Sequence, residues 1–234
     1  MNGDGDTNSP WYDRLGVFDL ETTGIETDTS RIVSAYVGVV DAFGAPNGVS
    51  WLADPGVEIP AQASAVHGIT TQRARAEGRD AAEVVAEIVA VLRALLAQGV
   101  PIVIYNAAYD LTLLNRECMR YAIEPLDCPL PIIDPLVIDR AMDRYRKGKR
   151  TLEAAAEYYG VQLTDAHDAE ADAVAAGRVA QAVARKYSDI LGSDVTLVHN
   201  QQVGWAADSA ESFQEYMRRT KDPAFVADGA WPER

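Results

Sequence analysis

The first third of the chain carries short apolar runs separated by turn residues, which is the pattern of β-strands. Gly, Pro and Asn concentrate between the second and third runs, so we predict that these two strands form a hairpin. The predicted strands cover residues 15–21, 31–41 and 49–53. Two short apolar segments farther along, 102–105 and 132–134, are predicted to add strands to the same sheet.

Most of the remaining chain follows the 3.6-residue period of amphipathic helices. Asp80 and Glu83 form a capping box ahead of apolar positions that repeat every three or four residues, and Gly99 ends this helix. In the helix that follows Asn106, Leu111, Leu114 and Met119 are predicted to point inward. Further helices are predicted over residues 61–66, 135–145, 151–159, 168–187 and 194–219.

A strand hairpin followed by alternating strands and helices predicts an α/β fold with a mixed sheet flanked by helices. The length of 234 residues suits one main domain. We therefore divide the chain into a disordered leader over residues 1–12, a main domain over 13–190, and a helical extension over 191–234 that packs on the domain.

Composition bears on the cellular location of the protein. No apolar run approaches the roughly 18 residues of a membrane span, and the polar leader lacks the features of a signal peptide. We therefore expect a cytoplasmic protein with no membrane partner. Its two cysteines, Cys118 and Cys128, have no partners at zinc spacing, so we expect both to be reduced.

The net charge of −14 argues against a protein that holds nucleic acid by bulk electrostatics. One segment is different, because six basic side chains and a single acid lie between Arg140 and Arg150. Such a run is either a solvated helix end or a binding patch. Within it, Arg146 and Lys147 are our candidates for contacts with a single-stranded substrate that enters a neighbouring cleft.

Two carboxylates stand at the end of the first predicted strand. Asp19 and Glu21 are two positions apart, so they share a face of the strand, and their side chains cannot both be buried without a positive partner. Mg²⁺ suits such a pair because it takes oxygen ligands from carboxylates, water and substrate phosphate. The alternative reading is a solvated acidic strand end.

Two further segments hold candidate residues. Asp110 lies in the first turn of a helix that follows a strand, where an acid also suits the helix dipole. His167 and Asp172 are five residues apart, so they do not share a helical face. They converge if His167 lies in the loop, Asp168 caps the helix and Asp172 lies one turn inside it.

These segments together resemble the three motifs of the DnaQ-like DEDDh exonuclease superfamily, which includes polymerase III proofreading subunits, RNase T and oligoribonuclease. The matching stretches are Asp19-Leu-Glu21-Thr-Thr-Gly24, Asn106-Ala-Ala-Tyr-Asp110 and His167-Asp-Ala-Glu-Ala-Asp172. The resemblance spans about residues 13–187 and implies an RNase H-like fold. It also implies that two Mg²⁺ or Mn²⁺ ions bind Asp19, Glu21, Asp110 and Asp172, while His167 acts as the general base.

The resemblance extends to residues that contact or shape the pocket for the terminal nucleotide. His67, in His67-Gly-Ile-Thr70, resembles a family segment near the cleft, and Thr22, Thr23 and Asn106 are assigned to the same pocket. The family commonly has His and Phe where this chain has Tyr105 and Tyr109. The change at Tyr109 preserves packing, whereas Tyr105 leaves open any polar role of its position.

We therefore predict a metal-dependent 3′→5′ exonuclease that releases nucleoside 5′-monophosphates from single-stranded 3′ ends, with DNA favoured. One alternative is an exoribonuclease of the RNase T or oligoribonuclease type, since that choice depends on contacts to the 2′-OH. Another is a proofreading subunit that docks on a DNA polymerase or sliding clamp. Gln201-Gln-Val-Gly-Trp205 faintly resembles a clamp-binding peptide, although its helical pattern favours packing.

Overall fold

The computed structural model describes residues 9–42, 44–127, 129–163 and 166–234. The strands within these residues are β1 Arg14–Thr22, β2 Ile32–Asp41, β3 Asn47–Asp54, β4 Arg79–Asp80, β5 Ile102–Val103 and β6 Ile132–Ile133. They form one sheet in the order β4-β3-β2-β1-β5-β6. The pairs β1–β2 and β2–β3 are antiparallel, whereas β1–β5, β5–β6 and β3–β4 are parallel. The predicted mixed sheet and its hairpin are thus confirmed.

The helices of the described residues flank this sheet. They are α1 Ala61–His67, α2 Thr71–Glu77, α3 Ala81–Ala97, α4 Ala107–Arg120, α5 Pro135–Met142, α6 Leu152–Tyr159, α7 Ala169–Lys186, α8 Ser188–Leu191 and α9 Val195–Thr220. The long helices begin close to the predicted positions because their caps form. Asp80 accepts a hydrogen bond from the Glu83 N–H at 3.1 Å, which starts α3.

The core lies on both faces of the sheet, as the alternation of β1 requires. Phe18 and Leu20 pack with α3 and α4 on one face. Leu15 and Val17 pack with α6 and α7 on the other. Gly177 lets α7 approach the sheet closely, because a Cβ there would lie 2.5 Å from Val17 Cγ1.

Two details of the helices differ from the prediction. Met119 was expected to point inward, but it is 58% exposed, because Cys118 takes the inward position of that turn and the next residue is rotated by about 100°. The helix predicted to reach residue 145 ends at Met142. The Arg150 guanidinium donates to the carbonyl oxygens of Asp139, Asp143 and Arg146 and so takes up acceptors at this helix end.

The described residues near both ends of the chain contact the main domain. Within the predicted leader, residues 1–8 lie outside the described part, whereas the Trp11 indole donates to the Gly192 carbonyl at 3.1 Å. Tyr12 packs beside it against the α7 face of the core. Cys118 is buried as a free thiol, and Cys128 lies outside the described residues. Every helix in the described ranges is too short or too polar to cross a lipid bilayer.

Candidate active site

Asp19 and Glu21 lie near the carboxyl end of β1, in the middle of the sheet. Strand alternation places them on the same face as Leu15 and Val17, the face that α7 covers. Both acids are only partly exposed. The end of β1 therefore holds two carboxylates under the beginning of α7.

Asp110 reaches this region from α4, where it is 4% exposed. The chain turns into α4 at Asn106, whose φ of 67° is left-handed. This turn is held by Asp134, whose carboxylate accepts the Asn106 N–H at 3.0 Å and the Ala107 N–H at 2.9 Å. Sequence reasoning gave Asp134 no role, although an acid directly before Pro135 is a helix-capping signal.

Asp172 and His167 come from the start of α7. Asp168 caps the helix by accepting the Glu170 N–H at 3.1 Å and the Ala171 N–H at 3.2 Å. His167 precedes the cap with a φ of 72°, and its N–H donates to Asp172 Oδ2 at 3.2 Å. This is the arrangement that the spacing predicts, with the histidine in the loop and the acid one turn inside the helix.

Glu21, His167 and Asp172 form a group that is able to ligate a cation. One ligand atom from each lies within 4.8 Å of the other two. The second carboxylate oxygen of Asp172, Oδ1, is buried and accepts no hydrogen bond within the described residues. A buried carboxylate oxygen without a donor fits a divalent cation, and the oxygen-rich donor set suits Mg²⁺ or Mn²⁺.

Burial and neighbouring negative charges destabilise the charged forms of the four acids. Burial, followed by the charges of Asp110, Asp172 and Glu21, raises the pKa of Asp19 well above its ordinary value. Burial also raises the pKa of Asp110 and of Asp172. Burial, then the charges of Asp172 and Asp168, raises the pKa of Glu21 to about 8. Positive charge at this position would restore the ionised forms.

Glu153 is a neighbour of the site that sequence reasoning missed. Its Oε1 lies 3.7 Å from His167 Nε2, and the two side chains are 48% and 45% exposed. Hydrogen bonding from Thr151 is the main cause that lowers the pKa of Glu153. The residue stands in the first turn of α6, and no spacing rule connects it with His167.

Thr22 and Thr23 have different surroundings. The Thr22 hydroxyl lies 2.6 Å from the Tyr109 hydroxyl, and both are within hydrogen-bond distance of the Gly24 carbonyl. Thr23 is buried, and its hydroxyl accepts the Arg31 N–H at 2.9 Å. The Thr22 hydroxyl therefore joins the end of β1 to α4, whereas the Thr23 hydroxyl is used within the connection between β1 and β2.

His67 lies near Thr22 and His167, whereas Asn106 lines a separate cavity. His67 ends α1, and its Nδ1 accepts the Ile69 N–H at 3.2 Å. Burial is the largest cause that lowers its pKa, and the charge of His167 acts in the same direction. The two histidines therefore lie near each other. Asn106 is exposed at the beginning of α4.

Arg146 and Lys147 are separated by the fold. The Arg146 guanidinium forms an ion pair with the fully buried Asp139 and lies 3.8 Å from the centroid of the Tyr158 ring, which leaves 12% of the side chain exposed. These contacts correct the expectation that Arg146 is available to substrate, because its charge is already paired in the interior. Lys147 is exposed.

The clamp-like segment 201–205 lies within α9. Gln202 is fully buried, where its Oε1 accepts the Asp134 N–H at 2.6 Å and its amide donates to the Ile132 carbonyl at 3.0 Å. Gln202 therefore has the packing role that the helical pattern favours, while Gln201, Val203 and Gly204 of the segment are exposed. Tyr105, the other departure from the family motif, donates to the Arg150 carbonyl at 2.8 Å.

Comparison with known structures identifies the fold. The chain is similar to exonuclease I at 23% identity and a TM-score of 0.62, over 74% of this chain and 41% of that one. It is similarly related to E. coli exonuclease I in complex with a dT13 oligonucleotide, at 23% identity and a TM-score of 0.63, over 76% of this chain and 42% of that one. The chain thus spans about two fifths of the length of these structures. The RNase H-like fold is confirmed.

Comparison with models of protein families identifies the family of the chain. No curated protein matches the chain. The family model for exonucleases of the RNase T type matches residues 17–180, a range that contains all three motifs and all four acids. The chain therefore belongs to this exonuclease family.

Proposed function

We propose that the protein is a metal-dependent 3′→5′ exonuclease that hydrolyses single-stranded ends to nucleoside 5′-monophosphates. The main support for this proposal is that four acids from β1, α4 and α7 and the histidine just before α7 come together at the carboxyl end of the central strand β1. The burial of these carboxylates among further negative charges, and the buried Asp172 Oδ1 that accepts no hydrogen bond within the described part of the chain, support a cation site.

Asp19, Glu21, Asp110 and Asp172 would hold two Mg²⁺ or Mn²⁺ ions. When bound, such a pair stabilises negative charge on the attacking and leaving oxygens of an in-line phosphoryl displacement. His167 is exposed to solvent beside Asp172, so it is placed to take the proton of the attacking water. The hydrogen-bonded pair of Thr22 and Tyr109 would border the terminal nucleotide.

DNA is the favoured substrate. Support comes from the relatives of this fold, because structures of E. coli exonuclease I contain dT13 and dA16 oligonucleotides. The chain covers less than half of those proteins, so the ratio of DNA to RNA cleavage has to be measured on this chain itself.

The test uses 5′-labelled DNA and RNA oligonucleotides of matched sequence with Mg²⁺, with Mn²⁺ and with EDTA. We expect a ladder that shortens from the 3′ end with metal and stops with EDTA or with Asp19→Ala. Glu170→Gln is the matched control, since Glu170 is an exposed acid in the first turn of α7. Internal cleavage, or full activity in Asp19→Ala, would refute the proposal.

A second variant separates the base from the ligands. His167→Asn is expected to keep the rise in melting temperature that Mn²⁺ causes, while kcat falls about 10²- to 10⁴-fold. If the thermal shift by Mn²⁺ disappears as well, His167 is a metal ligand and not the general base.

A further inference from the structure

Two adjoining cavities form one groove between α5 and α9. The first, of about 490 Å³, reaches Asn106 and Ala108 at the start of α4. The second, of about 420 Å³, extends to Arg144. Both are lined by Arg140 and Phe213, so they are continuous. We name this feature the α5–α9 groove, and its polar and aromatic lining residues are Arg140, Arg144, Trp205, Ser209, Ser212 and Phe213.

We propose that the α5–α9 groove binds the single strand that leads to the 3′ end in the active site. This inference rests on the proposed exonuclease function and adds the path of the substrate outside the metal site. The groove begins at the turn into α4, the helix that carries Asp110. A strand whose last nucleotide lies at the acids would then pass Asn106 at the start of α4 to enter the groove.

The charges of the groove favour a polyanion. Four arginines line its second cavity, and Asp208 is the acid among that lining. Arg146 and Arg150 share the buried Asp139, and Arg146 Nε also lies 4.0 Å from Asp143 Oδ2, so the charges of this pair are balanced within the fold and the positive excess comes from Arg140 and Arg144. This is a local excess on a chain with a net charge of −14.

Two arginines remain for phosphate contacts. Arg140 is exposed and makes no ion pair within the described ranges. Arg144 is exposed, and its guanidinium donates to Ser212 Oγ at 3.0 Å, a bond that leaves most of its donors available. These side chains stand on α5 and just beyond its end. The four arginines of the basic run are therefore divided between an inward pair, Arg146 and Arg150, and an outward pair, Arg140 and Arg144.

Aromatic side chains supply the second part of a single-strand site. Trp205 and Phe213 of α9 line the groove beside the arginines. Phe213 is 51% exposed, and its ring is supported by an edge contact with Phe225 at 5.4 Å between centroids. Arginines for phosphates and aromatic faces for bases are the two components of sequence-tolerant single-strand binding. Asp208 and Asp228 also border the groove, so the binding should be weak and sensitive to salt.

Binding of oligonucleotides by the full chain tests the groove. In an Asp19→Ala background, fluorescence anisotropy compares a labelled dinucleotide with an oligo(dT) of about 16 nucleotides. We expect Arg140→Glu with Arg144→Glu to weaken the long strand at least tenfold more than the dinucleotide. The slope of log K against log salt should also fall by about 0.7 for each arginine.

The control is Arg14→Glu, which reverses the charge of one exposed arginine at the opposite end of β1 and is matched in charge by Arg144→Glu alone. We expect it to bind both oligonucleotides within twofold of the background protein. Phe213→Ala tests the groove without a change of charge, and we expect a several-fold loss on the long strand. Circular dichroism of each variant checks that the fold is retained, and Arg144→Gln replaces the double variant if that one unfolds.

The outcomes separate the groove from the proposed function. Unchanged binding of the long strand in the double variant and in Phe213→Ala overturns the groove, even if the unmodified protein degrades DNA. An unmodified protein that cleaves neither oligonucleotide refutes the exonuclease proposal, while the binding assay still decides the groove. A protein partner that competes with oligo(dT) for the wild-type groove, with no length dependence of binding, would also overturn it.

Discussion

At the level of single residues, the site holds its carboxylates at a cost to stability. Glu21 has an ordinary pKa of 4.5, and burial next to Asp172 raises it to about 8 in the folded protein. The folded state then retains a proton that the unfolded chain has released. Metal-free protein should therefore lose stability as the pH rises from about 4.5 to about 8, and the loss is complete above that window.

Glu21→Gln should stabilise the metal-free protein while it abolishes nuclease activity. The amide keeps the shape but carries no charge, so at pH 8 the free energy of unfolding in EDTA should rise by on the order of 2 kcal/mol. At pH 4.5 the two proteins should differ much less. Urea unfolding at both pH values measures this, with the exposed Glu211→Gln as control. A variant that is less stable than wild type at pH 8 would contradict the pKa of Glu21.

The basic segment 140–150 shows which properties of single residues the sequence does not predict. The motifs predict Asp19, Glu21, Asp110, His167 and Asp172 as site residues because the spacing within each motif is local to one strand or helix. The pairing of Arg146 with Asp139 is not local in the same sense, because it depends on how the chain folds back after α5 ends. Residue type alone could not separate Arg146 from its exposed neighbour Lys147.

At the level of elements, the site depends on how closely α7 approaches β1. Gly177 is the point of contact, and a Cβ at this position would lie 2.5 Å from Val17 Cγ1 and 2.7 Å from Val40 Cγ2. Both valines are fully buried and have little room to move. Any displacement of α7 would also move Asp172, which lies near the beginning of the same helix.

Gly177→Ala should therefore destabilise the protein and lower kcat. Overpacking costs about 1–3 kcal/mol, and the helix propensity of alanine recovers only about 1 kcal/mol of it. Gly204→Ala in α9 is the control, because a Cβ there meets nothing within 4 Å, and it should be neutral or slightly stabilising. Thermal melts and initial rates on single-stranded DNA measure both effects. Equal melting temperatures and rates for the two variants would rule out this contact as a constraint.

Elements with a continuous apolar pattern were predictable, and elements held by single contacts were not. β1, β2 and α3 follow their periodicity closely. α2 was missed because it buries only Ala74 and so has no apolar stripe, although Thr70 caps it. The two-residue β4 and the four-residue α8 are too short to show any period.

At the level of the whole molecule, the C-terminal segment is joined to the active-site scaffold. In α9, His199 Nδ1 accepts a hydrogen bond from the Ile132 N–H at 3.1 Å, and Gln202 Oε1 accepts one from the Asp134 N–H. The helix therefore covers the β6 edge of the sheet. The chain then returns to the sheet, where Trp231 is 7% exposed in the core against α3 and α4. Its indole donates to Asp134 Oδ2 at 3.3 Å.

The same Asp134 carboxylate holds the N–H groups at the start of α4, the helix that carries Asp110. A contact chain thus runs from the C-terminal segment to one of the proposed metal ligands. We infer that residues 191–234 stabilise the site as well as the domain. Sequence periodicity predicted the helix and its packing, but the return of the tail depends on a contact between residues 97 positions apart.

Trp231→Ala should lower the free energy of unfolding by about 3–5 kcal/mol, since it removes a buried aromatic ring and one donor to Asp134. Trp231→Phe keeps most of the ring and loses the N–H, so its loss should be smaller. Val226→Ala is the control in the same tail, because Val226 is 72% exposed and its replacement should cost no more than about 0.5 kcal/mol. Urea unfolding gives the stabilities, and rates measured well below each midpoint show whether kcat falls with the displacement of α4. If Trp231→Ala behaves like Val226→Ala in both measurements, the tail lies on the domain without supporting it.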